Sequence, residues 1–216
     1  LVVIESPGPT VNAGPDQQLC VSNTAVLSGT VSSGNIQWYT NGGGTFSAST
    51  NALTGYDPIP ADSGWVEFVL EVSDLCGTLY DTLYIEFFPE LIGSISASTD
   101  SLCNSDTLTL DYFGNADSIR WFGGAGSFVN DTLANVQYVP AAGEYGSVVL
   151  FATYGNFCSV ATDTVTVYIR ENLLADFSYS PLDVYVGTEV QFSNLSTGVI
   201  LDYAWDFGDS AQSNMF

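Results

Sequence analysis

Chemistry in this chain has to come from four cysteines, four tryptophans and 24 carboxylates, because its 216 residues include no histidine and only two cations, Arg120 and Arg170. Without histidine there is no Ser-His-Asp triad, no imidazole general base and no histidine metal ligand. Without lysine there is no Schiff base, no P-loop lysine and no Lys-Asn crosslink. Carboxylate-only catalysis is what remains, yet no nucleophile has a base and no carboxylate pair stands out, so the chain reads as non-catalytic. Oxygen-rich pairs such as Asp57 with Asp62, or Asp206 with Asp209, are candidate ligands for a hard cation, Ca2+, if folding brings them together. The alternative is that these carboxylates cap turns or solubilise the surface. The glycine loops Asn41 to Gly44 and Gly123 to Gly126 precede no helix and carry no basic residue, so they read as wide turns and not as phosphate cradles.

A formal net charge of -22 excludes nucleic acid as a partner and implies self-repulsion relieved by salt or bound cations. With 46% hydrophobic residues the chain is too apolar for a disordered acidic tail. No run reaches the ~18 apolar residues of a membrane span, so no direct membrane insertion is expected.

Aligning the chain with itself exposes its organisation. Cys20 and Trp38 recur 83 residues on as Cys103 and Trp121, and Tyr56, Pro58, Gly64, Cys76, Asp81 and Thr82 recur 82 residues on as Tyr138, Pro140, Gly146, Cys158, Asp163 and Thr164. Two copies of one module follow, 9–88 and 89–171, each long enough for its own core. Residues 1–8 read as the last strand and linker of a preceding module, and 172–216 as the N-terminal half of a third sandwich. Within a copy, short β-branched and aromatic runs alternate with Gly, Asn, Asp and Ser clusters. On Trp65 to Val72 one side collects Val66, Phe68, Leu70 and Val72, and Glu67 and Glu71 lie on the other. No segment carries a helical apolar stripe, so the expected class is all-β: tandem Ig-like sandwiches with Greek-key connections.

On that plan Trp38, Trp121 and Trp205 fall at equivalent strand positions and are expected in the cores. Trp65 lies on the polar side of its strand, and Tyr84 and Tyr168 alternate outward, which makes these three the candidate glycan-stacking rings. The cysteines fit a disulfide framework of an oxidising compartment, and none has the chelate spacing of a zinc site. Pairing Cys20 with Cys76 and Cys103 with Cys158 gives each module its own bridge and leaves no thiol over. Against it, each pair joins points at opposite ends of an ordinary sandwich, and a Cys20–Cys158 bridge is the alternative.

From residue 173 the chain runs Ala175-Asp-Phe-Ser-Tyr-Ser-Pro181, Val190-Gln-Phe-Ser-Asn194 and Asp202-Tyr-Ala-Trp-Asp-Phe-Gly-Asp209. This closely resembles the polycystic kidney disease (PKD) domain, a small Ig-like sandwich, over about 40 residues, with Ser210 where that family usually has Gly. Ala13-Gly-Pro-Asp-Gln-Gln-Leu-Cys20 and the strand after it resemble the modules strung along large secreted surface proteins of Bacteroidetes, among them gliding-motility adhesins exported by type IX secretion. The resemblance implies an extracellular, cell-surface, largely non-catalytic stalk. Its partners would be neighbouring modules of the same chain, surface glycans or other cell-surface proteins. The triplet Asp-Ser/Thr-aliphatic is similar to the O-glycosylation sequon of that phylum and marks Thr82, Ser101, Thr107, Ser118, Thr132, Thr164 and Ser210; the same triplet also simply starts strands. Two other functions fit the sequence: accessory or carbohydrate-binding modules of a secreted polysaccharide-degrading enzyme, and a filament subunit in which Leu1 to Glu5 of one chain completes the third sandwich of another.

Overall fold

The structure is a computed structural model that describes residues 8–75, 77–198, 200, 202, 204–208 and 212–213. Leu1 to Glu5, Cys76, Asp209 and Ser210 therefore lie outside the described residues. Strands make up every regular element among the described residues except a 3-10 turn at Pro60–Asp62.

The first sandwich contains β1 (Val11–Asn12), β2 (Gln17–Cys20), β3 (Ala25–Ser28), β4 (Thr30–Val31), β5 (Asn35–Thr40), β6 (Thr45–Phe46), β7 (Leu53–Asp57), β8 (Gly64–Asp74) and β9 (Gly77–Phe88). One sheet runs β2-β9-β8-β5 and the facing one β3-β7-β6, with β1 and β4 paired at the side. The long β8–β9 hairpin is antiparallel, whereas β2 runs parallel to β9 with Cys20 opposite Phe88. Strict alternation along β8 buries Val66, Phe68, Leu70 and Val72 and turns Glu67 and Glu71 to the other face. Val66, Phe68 and Leu70 close a core with Leu27, Trp38, Tyr56, Leu83, Ile85 and Phe87.

The second sandwich repeats the plan with β10 (Gly93–Ala97), β11 (Ser101–Cys103), β12 (Leu108–Gly114), β13 (Ser118–Gly123), β14 (Ser127–Val129), β15 (Asn135–Val139), β16 (Gly146–Gly155) and β17 (Val160–Arg170). Its sheets run β11-β17-β16-β13 and β10-β12-β15-β14, and β11 lies parallel to β17 with Cys103 opposite Arg170. By contacts along the chain the molecule divides into two compact units. The first takes the described residues up to Gly93 together with Gly114–Ser118 and Tyr154–Ala161, and the second takes Ser94–Phe113, Ile119–Thr153 and the described residues from Thr162 onward.

Of the three indoles expected inside, Trp38 and Trp121 are each 1% exposed. Each is held by its strand and by its ring: the Trp38 amide and Nε1–H donate to the carbonyls of Ser49 and Asn51, and the Trp121 amide and Nε1–H to those of Asp131 and Leu133. Trp205 differs. It lies on β20 (Trp205–Asp206), which pairs with β21 (Gln212–Ser213), beside the hairpin of β18 (Phe177–Ser180) and β19 (Gln191–Asn194). Its ring packs against Phe177 and Phe192 but stays half-buried, because no described residue from 171 to 208 is buried and two-stranded pieces cannot enclose an indole.

Replacing Trp38 or Trp121 with alanine is expected to destabilise its sandwich by roughly 3 to 5 kcal/mol, and Trp205→Ala by less than about 1.5. Urea unfolding of the three variants measures this, and equal losses at all three would contradict the difference in enclosure.

Candidate functional site

The most developed polar cluster in each sandwich ties a glycine loop to a buried tyrosine. Tyr56 is fully buried on β7, and its hydroxyl donates to Asp62 Oδ2 at 2.8 Å while accepting from the Gly44 amide at 2.8 Å. Asp62, only 5% exposed at the end of the 3-10 turn, also accepts from the Ile59 amide at 3.0 Å and, through Oδ1, from the Gly43 amide at 2.7 Å. The second copy rebuilds the cluster with a longer acid. The Tyr138 hydroxyl donates to Glu144 at 2.7 Å and accepts from the Gly126 amide at 2.9 Å, and Glu144 accepts from the amides of Ala125 and Ala141 at 2.7 and 2.9 Å. At Gly44 and Gly126 the backbone crosses the tyrosine ring so closely that a Cβ would collide with a neighbouring carbonyl and the ring. The glycine loops therefore owe their composition to this crossing.

Burial works against charge on Asp62, but the donors from Gly43, Ile59 and Tyr56 outweigh it and hold the carboxyl below its usual value; Glu144 is held down in the same way by Ala125, Tyr138 and Ala141. Burial, with the hydrogen bond to the acid, pushes Tyr56 and Tyr138 up to about 12. The sequence pairs Tyr56 with Tyr138 at a spacing of 82, and Asp62 and Glu144 lie at the same spacing. Matching by identity missed them, because the acid changes length between copies.

This geometry also bears on the candidate cation ligands. Asp62 directs both oxygens to protein donors, and Asp57 Oδ1 accepts from the Thr24 hydroxyl at 2.6 Å. Asp206 Oδ1 accepts from the Gly208 amide, a turn contact. Among the described residues no group of three or more Cys, Asp and Glu side chains is placed to hold a metal ion.

The cysteines depart from the within-module pairing. Cys20 is bonded to Cys158, and Cys103 is a free, exposed thiol. The reason lies in strand register. Cys20 sits opposite Phe88, at the far end of β9 from Gly77, the first residue of that strand. At ~3.3 Å per residue over eleven steps, the Gly77 end of β9 is roughly 36 Å from Cys20, far beyond the reach of a disulfide. Cys103, opposite Arg170, stands at the far end of β17 from its first residue, Val160. The turn holding Cys158 belongs instead to the first unit, where Phe157 stacks on Phe88 and the Asn156 side-chain amide donates to the Pro89 carbonyl at 3.1 Å.

The candidate stacking rings are on the surface. Trp65 is 60% exposed on β8, and Tyr84, on the neighbouring strand, faces the same way with its hydroxyl donating to Glu67 at 3.2 Å. Tyr39 and Tyr80, not singled out by the sequence, are exposed on the same sheet, and Tyr168 is exposed on β17. Of the Asp-Ser/Thr positions, Thr107, Ser118, Thr132 and Thr164 are exposed, and Thr82 and Ser101 are half-buried.

No family model matches the chain, and no curated protein does. Among solved structures, the I67–I69 fragment of the titin I-band is similar over 98% of this chain and 83% of the fragment, with TM-score 0.58 and 11% identity. Rst D1-D2 is similar over 77% of this chain and 100% of that structure, with TM-score 0.54 and 10% identity. Extracellular domains 3-5 of Drosophila OTK match over 76% of this chain at TM-score 0.51 and 12% identity, and the chain spans 62% of that structure. The class these likenesses define is all-β and Ig-like. At such identities they establish the fold alone.

Asp62→Ala is expected to lower stability by about 2 to 3 kcal/mol, since it removes the acceptor of a buried hydroxyl and of two loop amides. Because Asp62 and Glu144 have depressed pKa values in the fold, their contribution is present above their ordinary values of 3.8 and 4.5 and is lost as pH falls through the lower folded values. The raised tyrosines act at the other end, where their contribution is lost as pH rises from the ordinary 10 through about 12. Denaturant midpoints across that range should show a flattened acid limb in Asp62→Asn, Glu144→Gln; an unchanged limb would refute the assignment.

Proposed function

We propose that this chain is a non-catalytic spacer from a large extracellular cell-surface protein of the adhesin type, whose modules hold a distal region away from the cell. The observation that carries the reading is the Cys20–Cys158 bond, which closes 138 residues of Ig-like sandwich into one covalent loop. A bond of that span suits an oxidising exterior and, reckoned by chain entropy, stabilises the fold by about 5 kcal/mol. The net charge of -22 supports the same reading, because it keeps neighbouring strands of such a protein apart. The PKD-like signature, the type IX export and gliding association, and O-glycans at the exposed Asp-Ser/Thr positions belong to this proposal through sequence resemblance. Native material heavier than the 23.0 kDa of the sequence, by multiples of hexose-sized units, would support the glycans.

A second reading rests on the aromatic face. Trp65, Tyr84, Tyr39 and Tyr80 share one exposed sheet with Glu67 and Glu71, a surface on which sugar rings could stack and hydrogen-bond. Glycan-array binding that Trp65→Ala abolishes would favour a carbohydrate-binding module over a spacer.

Single-molecule pulling from the two ends tests the spacer. With the bond intact, the residues between Cys20 and Cys158 should bear no tension, and reduction should release about 480 Å of extra contour. Equal contour lengths before and after reduction would overturn the covalent loop as a mechanical element.

A further inference from the structure

The two sheets with a parallel edge end in the same way. In the first, Cys20 closes β2 opposite Phe88, the Val21 amide donates to the Phe88 carbonyl at 2.9 Å, and the Asn23 amide donates to the Cys20 carbonyl at 2.9 Å. In the second, Cys103 closes β11 opposite Arg170, the Asn104 amide donates to the Arg170 carbonyl at 2.9 Å, and the Asp106 amide donates to the Cys103 carbonyl at 2.9 Å. Residue for residue, this is one structure built twice.

Their surroundings differ. Against Cys20 lies the turn 154–161, attached by the disulfide, by the Phe157 ring stacked on Phe88 with centroids 4.3 Å apart, and by the Asn156 amide on the Pro89 carbonyl. Beside Cys103 is a cleft of about 970 Å³ walled by Tyr145, Tyr168, Ile169, Arg170 and Leu173. Tyr145, Tyr168 and Leu173 are exposed there, and so is the Cys103 thiol.

We propose that this cleft receives a cysteine-bearing β-hairpin turn from a further module of the same repeat type, and that Cys103 forms with that cysteine the bond Cys20 forms with Cys158. Three observations carry it: the identical strand-end geometry, the bonded state of the equivalent cysteine, and a cleft where the first sheet end has an occupant. Arg170 defines the chemistry of the incoming turn. Where Phe88 offers a ring to Phe157, Arg170 offers a guanidinium, which stacks on an aromatic side chain placed just before the incoming cysteine. The covalent step is thiol–disulfide exchange: the Cys103 thiolate attacks a mixed disulfide on the incoming cysteine, a new S–S bond forms, and the departing thiolate takes up a proton. A disulfide-bearing small thiol or oxidoreductase of the oxidising compartment supplies the starting disulfide. The inference rests on the reading of the chain as one stretch of a module array.

The test uses the whole chain with Cys76→Ser, so that Cys103 is the one thiol outside the Cys20–Cys158 bond. The probe is a peptide of residues 152–163, closed into a hairpin by a D-Pro-Gly turn and supplied as its glutathione mixed disulfide. A scrambled peptide with its cysteine in the same place is the control. At equilibrium in glutathione buffer, the fraction of Cys103 joined to the hairpin should exceed that joined to the control at least tenfold, with the bond mapped by digestion and mass spectrometry. Tyr168→Ala and Arg170→Ala should each reduce that preference at least threefold. A preference within twofold of the control, or one that neither substitution alters, overturns the proposal. Either result leaves the pulling experiment intact, because that reads Cys20–Cys158 alone.

Discussion

An enclosed indole needs an acceptor for its N–H, and each complete sandwich is arranged around meeting that need. Trp38 and Trp121 are too large to bury unless both sheets close over them, and their Nε1–H groups would be left without a partner unless a loop carbonyl were brought in. The connections between β6 and β7 and between β14 and β15 provide it, at Asn51 and Leu133. Packing and hydrogen bonding thus fix the same contact, joining one sheet to a loop between two strands of the other. Trp205 has neighbours on its strand pairs but no such enclosure, and every described residue around it keeps contact with solvent.

The tyrosine-carboxylate clusters do for the glycine loops what the indoles do for the sheets. A loop with little side chain of its own has no apolar reason to stay in place, and here its amides are drawn onto a phenol and an acid set by the 3-10 turn and its counterpart. The change from Asp62 to Glu144 shows that the donor set is retained, while the acid's length follows the local path of the backbone.

Much of this architecture was legible in the residues. Alternation along Val66 to Val72 assigned the buried face of β8, and the 82- and 83-residue spacings located the two copies, because side-chain period and internal repetition are direct records of strand geometry. The cluster around Tyr56 was less legible: it depends on where a loop passes, and no periodicity encodes that. Asp62 in particular reads from sequence as either a candidate cation ligand or a turn cap, and its oxygens face amides. Cysteine connectivity was the hardest to read. Regular spacing favours a bridge within each module, the sandwich plan sets each such pair at opposite ends, and choosing between that pairing and Cys20–Cys158 needs the strand register. The parallel pairing of β2 with β9 supplies that, by placing Cys20 at the end of the sheet remote from the β8–β9 turn.

The Cys20–Cys158 bond also alters what proteolysis can do. The loops it encloses include solvent-facing tips such as Ser32-Ser33-Gly34 and Asn130 to Leu133, the kind of segment an endopeptidase finds first. Scission at any one peptide bond between the two cysteines leaves both fragments tethered through sulfur, so a single nick cannot part the N-terminal side of the molecule from the C-terminal side. A chain cut within this loop would lose its continuity only once the bond itself was also reduced.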